Sequence, residues 1–186
     1  MTHYQSNLRD IRFNLFEVFN RQALLGTEPA VDMDRETAET ALTEMDHLCR
    51  DKISLPYAED DRTPPMFDPA THSVTMPDGT KRAYTAYMNS EWWRLELTEE
   101  LGGVPTPPSL RWAILELLLA ANPAIYMYSA GPKFGQLTHR LGTERDQQIA
   151  RHMVERQWAA TMVLTEPDAG SDVGAGRTKA HPQADG

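Results

Sequence analysis

Apolar residues fall at helical spacing through most of this 186-residue chain. Between Asn7 and Asn20, Ile11, Leu15, Val18 and Phe19 mark one side of an amphipathic helix, with Phe13 and Phe16 adding bulk. Gly26 and Pro29 are expected to end it. Asp34 is the expected N-cap of a second helix. Its apolar face runs through Ala38, Ala41, Leu42, Met45, Leu48 and Cys49 to about Ile53, while Glu36, Glu39 and Glu44 face water. Residues 56–80 are rich in Pro, Asp and Thr and read as loop, with a brief extended piece at Val74-Thr75-Met76 and a turn at Pro77-Asp78-Gly79. Lys81 to Met88 predicts a short helix, and Glu91-Trp92-Trp93 opens the next element. Leu101-Gly102-Gly103-Val104-Pro105 breaks the chain.

From Pro108 to Ala121 the sequence leaves little polar face, because Leu110, Trp112, Ile114, Leu115, Leu117, Leu118 and Leu119 surround the helix. Such a helix belongs inside a bundle. Asn122-Pro123 punctuates it, with Pro123 suited to the first turn of a further helix. That helix carries Ile125, Tyr126, Met127 and Tyr128, then the small residues Ser129, Ala130 and Gly131. Gly142 closes the following turns and Thr143 caps Glu144 to Arg156. After Gln157 the pattern changes. The apolar run Trp158–Leu164 predicts a strand, cut off by Thr165-Glu166-Pro167. No internal repeat or low-complexity tract interrupts this order.

Composition narrows the class. The length admits one or two domains and a sizeable core, and 40% hydrophobic with 24% charged residues is ordinary for a globular protein. A net charge of −9 argues against general binding to nucleic acid or anionic membranes, while leaving room for a local basic site. The single Cys49 excludes an intrachain disulfide and a cysteine-rich zinc site and fits a reducing compartment. The opening residues Met1 to Asn7 are polar and unlike a secretory signal. The stretch Trp112–Ala121 contains Glu116 and is too short to cross a bilayer. A cytoplasmic location is expected. His3, His47, His72, His139, His152 and His181 form no i, i+4 pair on one helix, so no helix-borne metal pair is expected.

The chemistry gathers at Thr165-Glu166-Pro167-Asp168-Ala169-Gly170-Ser171-Asp172. Thr165 and Ser171 can each donate or accept a hydrogen bond, and Gly170 lets the backbone approach a ligand. A loop of this kind suits an anion or a flavin-like ring. Each residue also has a plainer role: Thr165 capping its own turn, Ser171 in a serine turn or N-cap, Gly170 as a turn glycine. Glu166, Asp168 and Asp172 are read as orienting the loop rather than as an acid/base pair. Gly170, Gly174 and Gly176 match neither a Walker A loop nor a dinucleotide fingerprint.

This stretch resembles the flavin-contact signature of the acyl-CoA dehydrogenases. Gly142-Thr143-Glu144 and the approach Trp158–Leu164 are similar to the same family, as is Leu101-Gly102-Gly103 with Pro105. Phe67-Asp68-Pro69 and Val74-Thr75-Met76-Pro77 resemble a longer subgroup with an N-terminal extension. One departure is Glu155-Arg156-Gln157, where many relatives have a glycine. The resemblance implies a mainly α fold: an N-terminal helical domain of the acyl-CoA dehydrogenase type, followed by the first strands of a truncated β-barrel domain. It implies an extension over residues 1–80, a helical domain over 81–157 and the start of the β domain over 158–186. It further implies FAD as cofactor, held by Met162, Leu164, Thr165, Gly170 and Ser171, with Ser171 and Tyr126 reaching an acyl-CoA substrate. Met127, beside Tyr126, lies on the helix that lines the acyl channel in relatives. Electrons would pass to an electron-transferring flavoprotein, in a homo-oligomer (dimer or tetramer), as in fatty acid β-oxidation. No metal is implied, and the catalytic glutamate comes from a C-terminal bundle.

Gln183-Ala184-Asp185-Gly186 looks like a hairpin turn with only its first arm. The chain therefore reads as the N-terminal part of a longer enzyme, inactive alone, with an exposed inner face on the helix Pro108–Ala121 that favours self-association. The competing reading is a non-catalytic helical interaction module or truncated pseudoenzyme.

Overall fold

The computed structural model describes residues 2–28 and 30–183. It is mainly helical. Helix α1 (Leu8–Arg12) continues as a π-helical stretch, Phe13–Val18. Ile11, Leu15 and Phe16 are buried, but Val18 and Phe19 are exposed. The wider π turn shifts the register, so the last two residues of the expected apolar stripe leave the core face. Asn20, at φ +48°, then turns the chain into a 3₁₀ stretch, Arg21–Leu24. The helix thus ends before Gly26, and Pro29 lies outside the described residues.

Asp34 caps α2 (Arg35–Leu48), its carboxylate accepting the Thr37 N–H at 2.7 Å. The helix runs on as a π turn, Cys49–Ile53. Ala38, Leu42, Met45, Cys49 and Ile53 are fully buried along it. Asp46 is buried on the same side; Tyr4 donates to it at 2.8 Å and Arg50 pairs with it. Each partner offsets the desolvation of that carboxylate.

The Pro-rich stretch holds more structure than expected. A single turn, α3 (Tyr57–Asp60), precedes an antiparallel hairpin of β1 (Met66–Asp68) and β2 (Ser73–Thr75), with Phe67 opposite Val74. Pro77-Asp78-Gly79 is not a turn, because Asp78 and Gly79 are the first residues of α4 (Asp78–Asn89). Gly79 serves close packing instead: a Cβ there would sit 2.6 Å from Asp60 Oδ1. The neighbouring Thr80 hydroxyl donates to the other Asp60 oxygen at 2.8 Å.

Two 3₁₀ segments, Trp92–Glu96 and Glu99–Leu101, lead to α5 (Pro108–Ala121). Leu110, Ile114, Leu115, Leu117, Leu118 and Ala121 are buried, and Trp112 is the large side chain α5 leaves exposed. The expected bare inner face is covered by α2, the Cys49–Ile53 turn and α6 (Pro123–Tyr128). That removes the reason for expecting self-association through α5. Asn122 caps α6, accepting the Ala124 N–H at 3.2 Å. Helices α7 (Gly131–Leu141) and α8 (Glu144–Glu155) form a hairpin, and Thr143 and Asp146 make a reciprocal capping box at the start of α8. One hydrophobic core runs from Tyr4 and α1 through α2, α4, α5 and α6 to Val154.

Residues 158–164 do not form a strand. They carry no regular secondary structure, and Val163 is 95% exposed. A strand exists only as one side of a hydrogen-bonded ladder, and no described residue supplies the other side. The expected turn at Asp185-Gly186 lies outside the described residues.

Candidate functional site

The chain leaves α8 through Gln157, which takes φ +50°. Gln157 lies in the stretch that departs from the family pattern, where many relatives have a glycine, and glycine adopts that conformation without strain. Trp158 then folds back, its N–H donating to Met153 at 2.9 Å and its ring beneath the Arg156 guanidinium at 5.5 Å. Its peptide lies against Gly131 at the first turn of α7. A Cβ on Gly131 would come 2.8 Å from the Trp158 carbonyl carbon and closer still to its oxygen. Gly131 is therefore a seat for the outgoing segment, not room for a ligand.

Thr165–Asp172 forms a loop. Glu166 and Ala169 exchange N–H···O bonds of 3.1 Å each across Pro167-Asp168, and Ala169 is buried. Proline fits the first central position of such a turn. The Glu166 carboxylate accepts the Arg177 N–H at 2.8 Å and the Thr178 N–H at 2.9 Å. Those bonds hold its carboxyl below the usual range. Arg177 also reaches Asp168 at 3.3 Å. Glu166 and Asp168 are thus occupied in tying the loop to the chain that follows it. Asp172 starts a short 3₁₀ turn, its carbonyl accepting the Ala175 N–H.

Thr165 and Ser171 remain exposed, and neither hydroxyl has a hydrogen-bond partner among the described residues. Their plainer roles, capping a turn through their own hydroxyls, would use those groups up. A Cβ on Gly170 would meet nothing within 4 Å. Met162 and Leu164 are also exposed, at 63% and 46%. The five residues expected to meet a flavin therefore share one open stretch with two free hydroxyls and an unobstructed backbone. Donors and apolar side chains of this kind suit a planar heteroaromatic ring.

Tyr126 is placed elsewhere. It is half-buried, its hydroxyl lies 3.4 Å from Glu96 Oε2 and against the Lys133 ammonium, and its neighbour Met127 is 71% exposed. No described contact brings Tyr126 to the loop. Tyr128, two residues on, does approach the outgoing chain at Ala159: with Met76, Thr80, Lys81, Tyr84 and Ala159 it lines a groove of about 270 Å³ that is almost wholly apolar. Sequence reasoning missed this groove. Tyr84 and Tyr128, which both line it, lie far apart in the sequence, and nothing in their spacing joins them.

Over nearly its whole length the chain is similar to proteins named acyl-CoA dehydrogenases. It is 47% identical over all 186 residues to the broad-specificity linear acyl-CoA dehydrogenase of Mycobacterium tuberculosis, covering 30% of that protein. It is 28% identical over 188 aligned residues to the 3-methylmercaptopropionyl-CoA dehydrogenase of Ruegeria pomeroyi, covering 31% of it. A butyryl-CoA dehydrogenase of Syntrophomonas wolfei matches at 28% identity over 185 residues, with 30% covered. The chain thus spans a little under a third of the length of these relatives. No protein-family model matches it. Among the described residues, no helix is long and apolar enough to cross a membrane.

Proposed function

We propose that this chain supplies the flavin-contact loop and part of the acyl wall of an FAD-dependent dehydrogenase that introduces an α,β double bond into an acyl-CoA thioester. The observation that carries this reading is the pair of free, exposed hydroxyls at Thr165 and Ser171, on a loop whose acids are already engaged. When bound, FAD supplies the hydride acceptor. Thr165 would donate to the pyrimidine side of the ring, where reduction places negative charge. Met162 and Leu164 would cover it with apolar surface, Gly170 would admit the backbone, and Ser171 would reach both cofactor and thioester. All three relatives are named for CoA thioesters, which supports that substrate class. The catalytic glutamate is proposed to lie outside these 186 residues. A role for Tyr126 beside the acyl chain, the division at residues 80 and 157, an electron-transferring flavoprotein partner, homo-oligomerisation and a cytoplasmic location complete the proposal.

The test uses protein that carries this chain within its full reading frame. Loaded with FAD and mixed with an acyl-CoA, it should bleach the flavin and turn over with an artificial acceptor. Thr165→Val keeps the shape but leaves an acceptor unpaired, which costs about 1–3 kcal/mol; flavin retention or its reduction should weaken while the helical bundle stays folded. Full flavin retention and unchanged reduction in Thr165→Val would remove this residue from the site. A protein that retains no flavin at all would favour the non-catalytic helical module.

A further inference from the structure

Outside α8, the element that α7 packs against most is the 3₁₀ segment Trp92–Glu96. The seam between them is polar. Lys133 Nζ lies 2.6 Å from Glu96 Oε2 and 4.0 Å from the centre of the Tyr126 ring. One turn on, Gln136 Oε1 accepts the Thr98 N–H at 2.7 Å. After another turn, His139 Nδ1 stands 3.9 Å from Glu100. Lys133, Gln136 and His139 are spaced three apart, so one side of α7 meets Glu96, Thr98 and Glu100 in order. The Glu96 side chain is only 12% exposed, so the charge of Lys133 is its main compensation. The same end of α7 holds Gly131, the seat of Trp158.

We propose that Lys133, through its ion pair with Glu96 beneath Tyr126, is a positioning residue: it fixes the α7–α8 hairpin on the bundle and with it the point from which the flavin-contact loop departs. This deepens the proposed function and rests on it for its cofactor arm. Loss of the pair leaves Glu96 without its cation and frees the N-terminal end of α7. The hairpin then shifts as a unit, carrying Trp158 with it, while the core from α1 to α6 keeps its packing.

The experiment has two arms. In the first, spin labels at the exposed positions Gln148→Cys on α8 and Glu44→Cys on α2 report the distance between hairpin and bundle; native Cys49 is fully buried and stays unlabelled. Lys133→Met should broaden or displace the distance distribution, Glu96→Gln should do so to a lesser degree, and Lys133→Arg should restore it. An unchanged distribution in Lys133→Met and Glu96→Gln overturns the proposal. So does equal broadening in Ile114→Val, a core variant, since any loss of stability would then suffice. In the second arm, FAD is titrated into the full-frame protein, and Lys133→Met should weaken its affinity by on the order of tenfold. A displaced hairpin with unaltered FAD affinity refutes the positioning role. If the unsubstituted protein binds no FAD, the flavin reading falls and the positioning role with it, while the distance arm still reports whether the pair holds the hairpin.

Discussion

Gly131→Ala tests whether the outgoing segment is seated where the structure places it. Gly131 lies in the first turn of α7 at an ordinary helical φ, so glycine is not needed there for its backbone. On conformational grounds alone, alanine would stabilise by about 0.5–1 kcal/mol. The added Cβ would lie 2.8 Å from the Trp158 carbonyl carbon and 3.1 Å from the Ala159 Cα, with the carbonyl oxygen nearer still. These are backbone atoms, which cannot swing aside as a side-chain tip can. The segment must retreat or the first turn of α7 must open, and overpacking of this kind costs about 1–3 kcal/mol. The net expectation is a loss of about 1–2 kcal/mol, or a fall in Tm of roughly 2–8 °C for a chain of this size. Calorimetry gives the midpoint, and limited proteolysis between residues 158 and 165 should accelerate in the variant. A raised Tm with unchanged proteolysis would refute the seat, because only the conformational gain would then remain.

Three further outcomes follow from particular contacts. Tyr4→Phe removes the 2.8 Å donor to buried Asp46 and should cost about 1–3 kcal/mol in urea unfolding; a neutral result would mean that Arg50 alone satisfies that carboxylate. Burial pushes the Cys49 thiol up to about 12, so the folded state favours the protonated form. That contribution is complete below the unfolded thiol value near 8.5 and is lost as pH rises towards 12. The urea midpoint should fall across that window, less steeply in Cys49→Ala, and identical slopes would exclude the thiol. Gly170→Ala should leave thermal stability of the ligand-free protein unchanged, because its Cβ enters open space, yet weaken FAD affinity in the full-frame protein. Undiminished affinity would mean that no ligand approaches the backbone there.

The helices were legible because their burial is set by periods a sequence displays. The α2 face, the all-round apolar α5 and the caps at Asp34 and Thr143 depend on neighbours within about one turn. Glu166 and Asp168 were rightly read as loop-orienting, since a turn through Pro167 is a local matter. What failed needed a partner far along the chain. Gly79 looked like a turn glycine and proved to be a packing contact with Asp60, nineteen positions away in sequence by the numbering. Gly131 was read only as one of a run of small residues and proved to be the seat of Trp158. The buried pair of Tyr4 and Asp46 joins residues that share no periodicity. Apolar content alone predicted a strand at 158–164, but a strand is made by its neighbour's hydrogen bonds, and none of the described residues offers them. Sequence by itself determined the helical period, two of the caps and the turn at Thr165–Asp172. Tertiary structure alone decided which glycines meet backbone, which carboxylates are buried, and whether an apolar run becomes a strand, because each of those depends on atoms that only folding brings within contact distance.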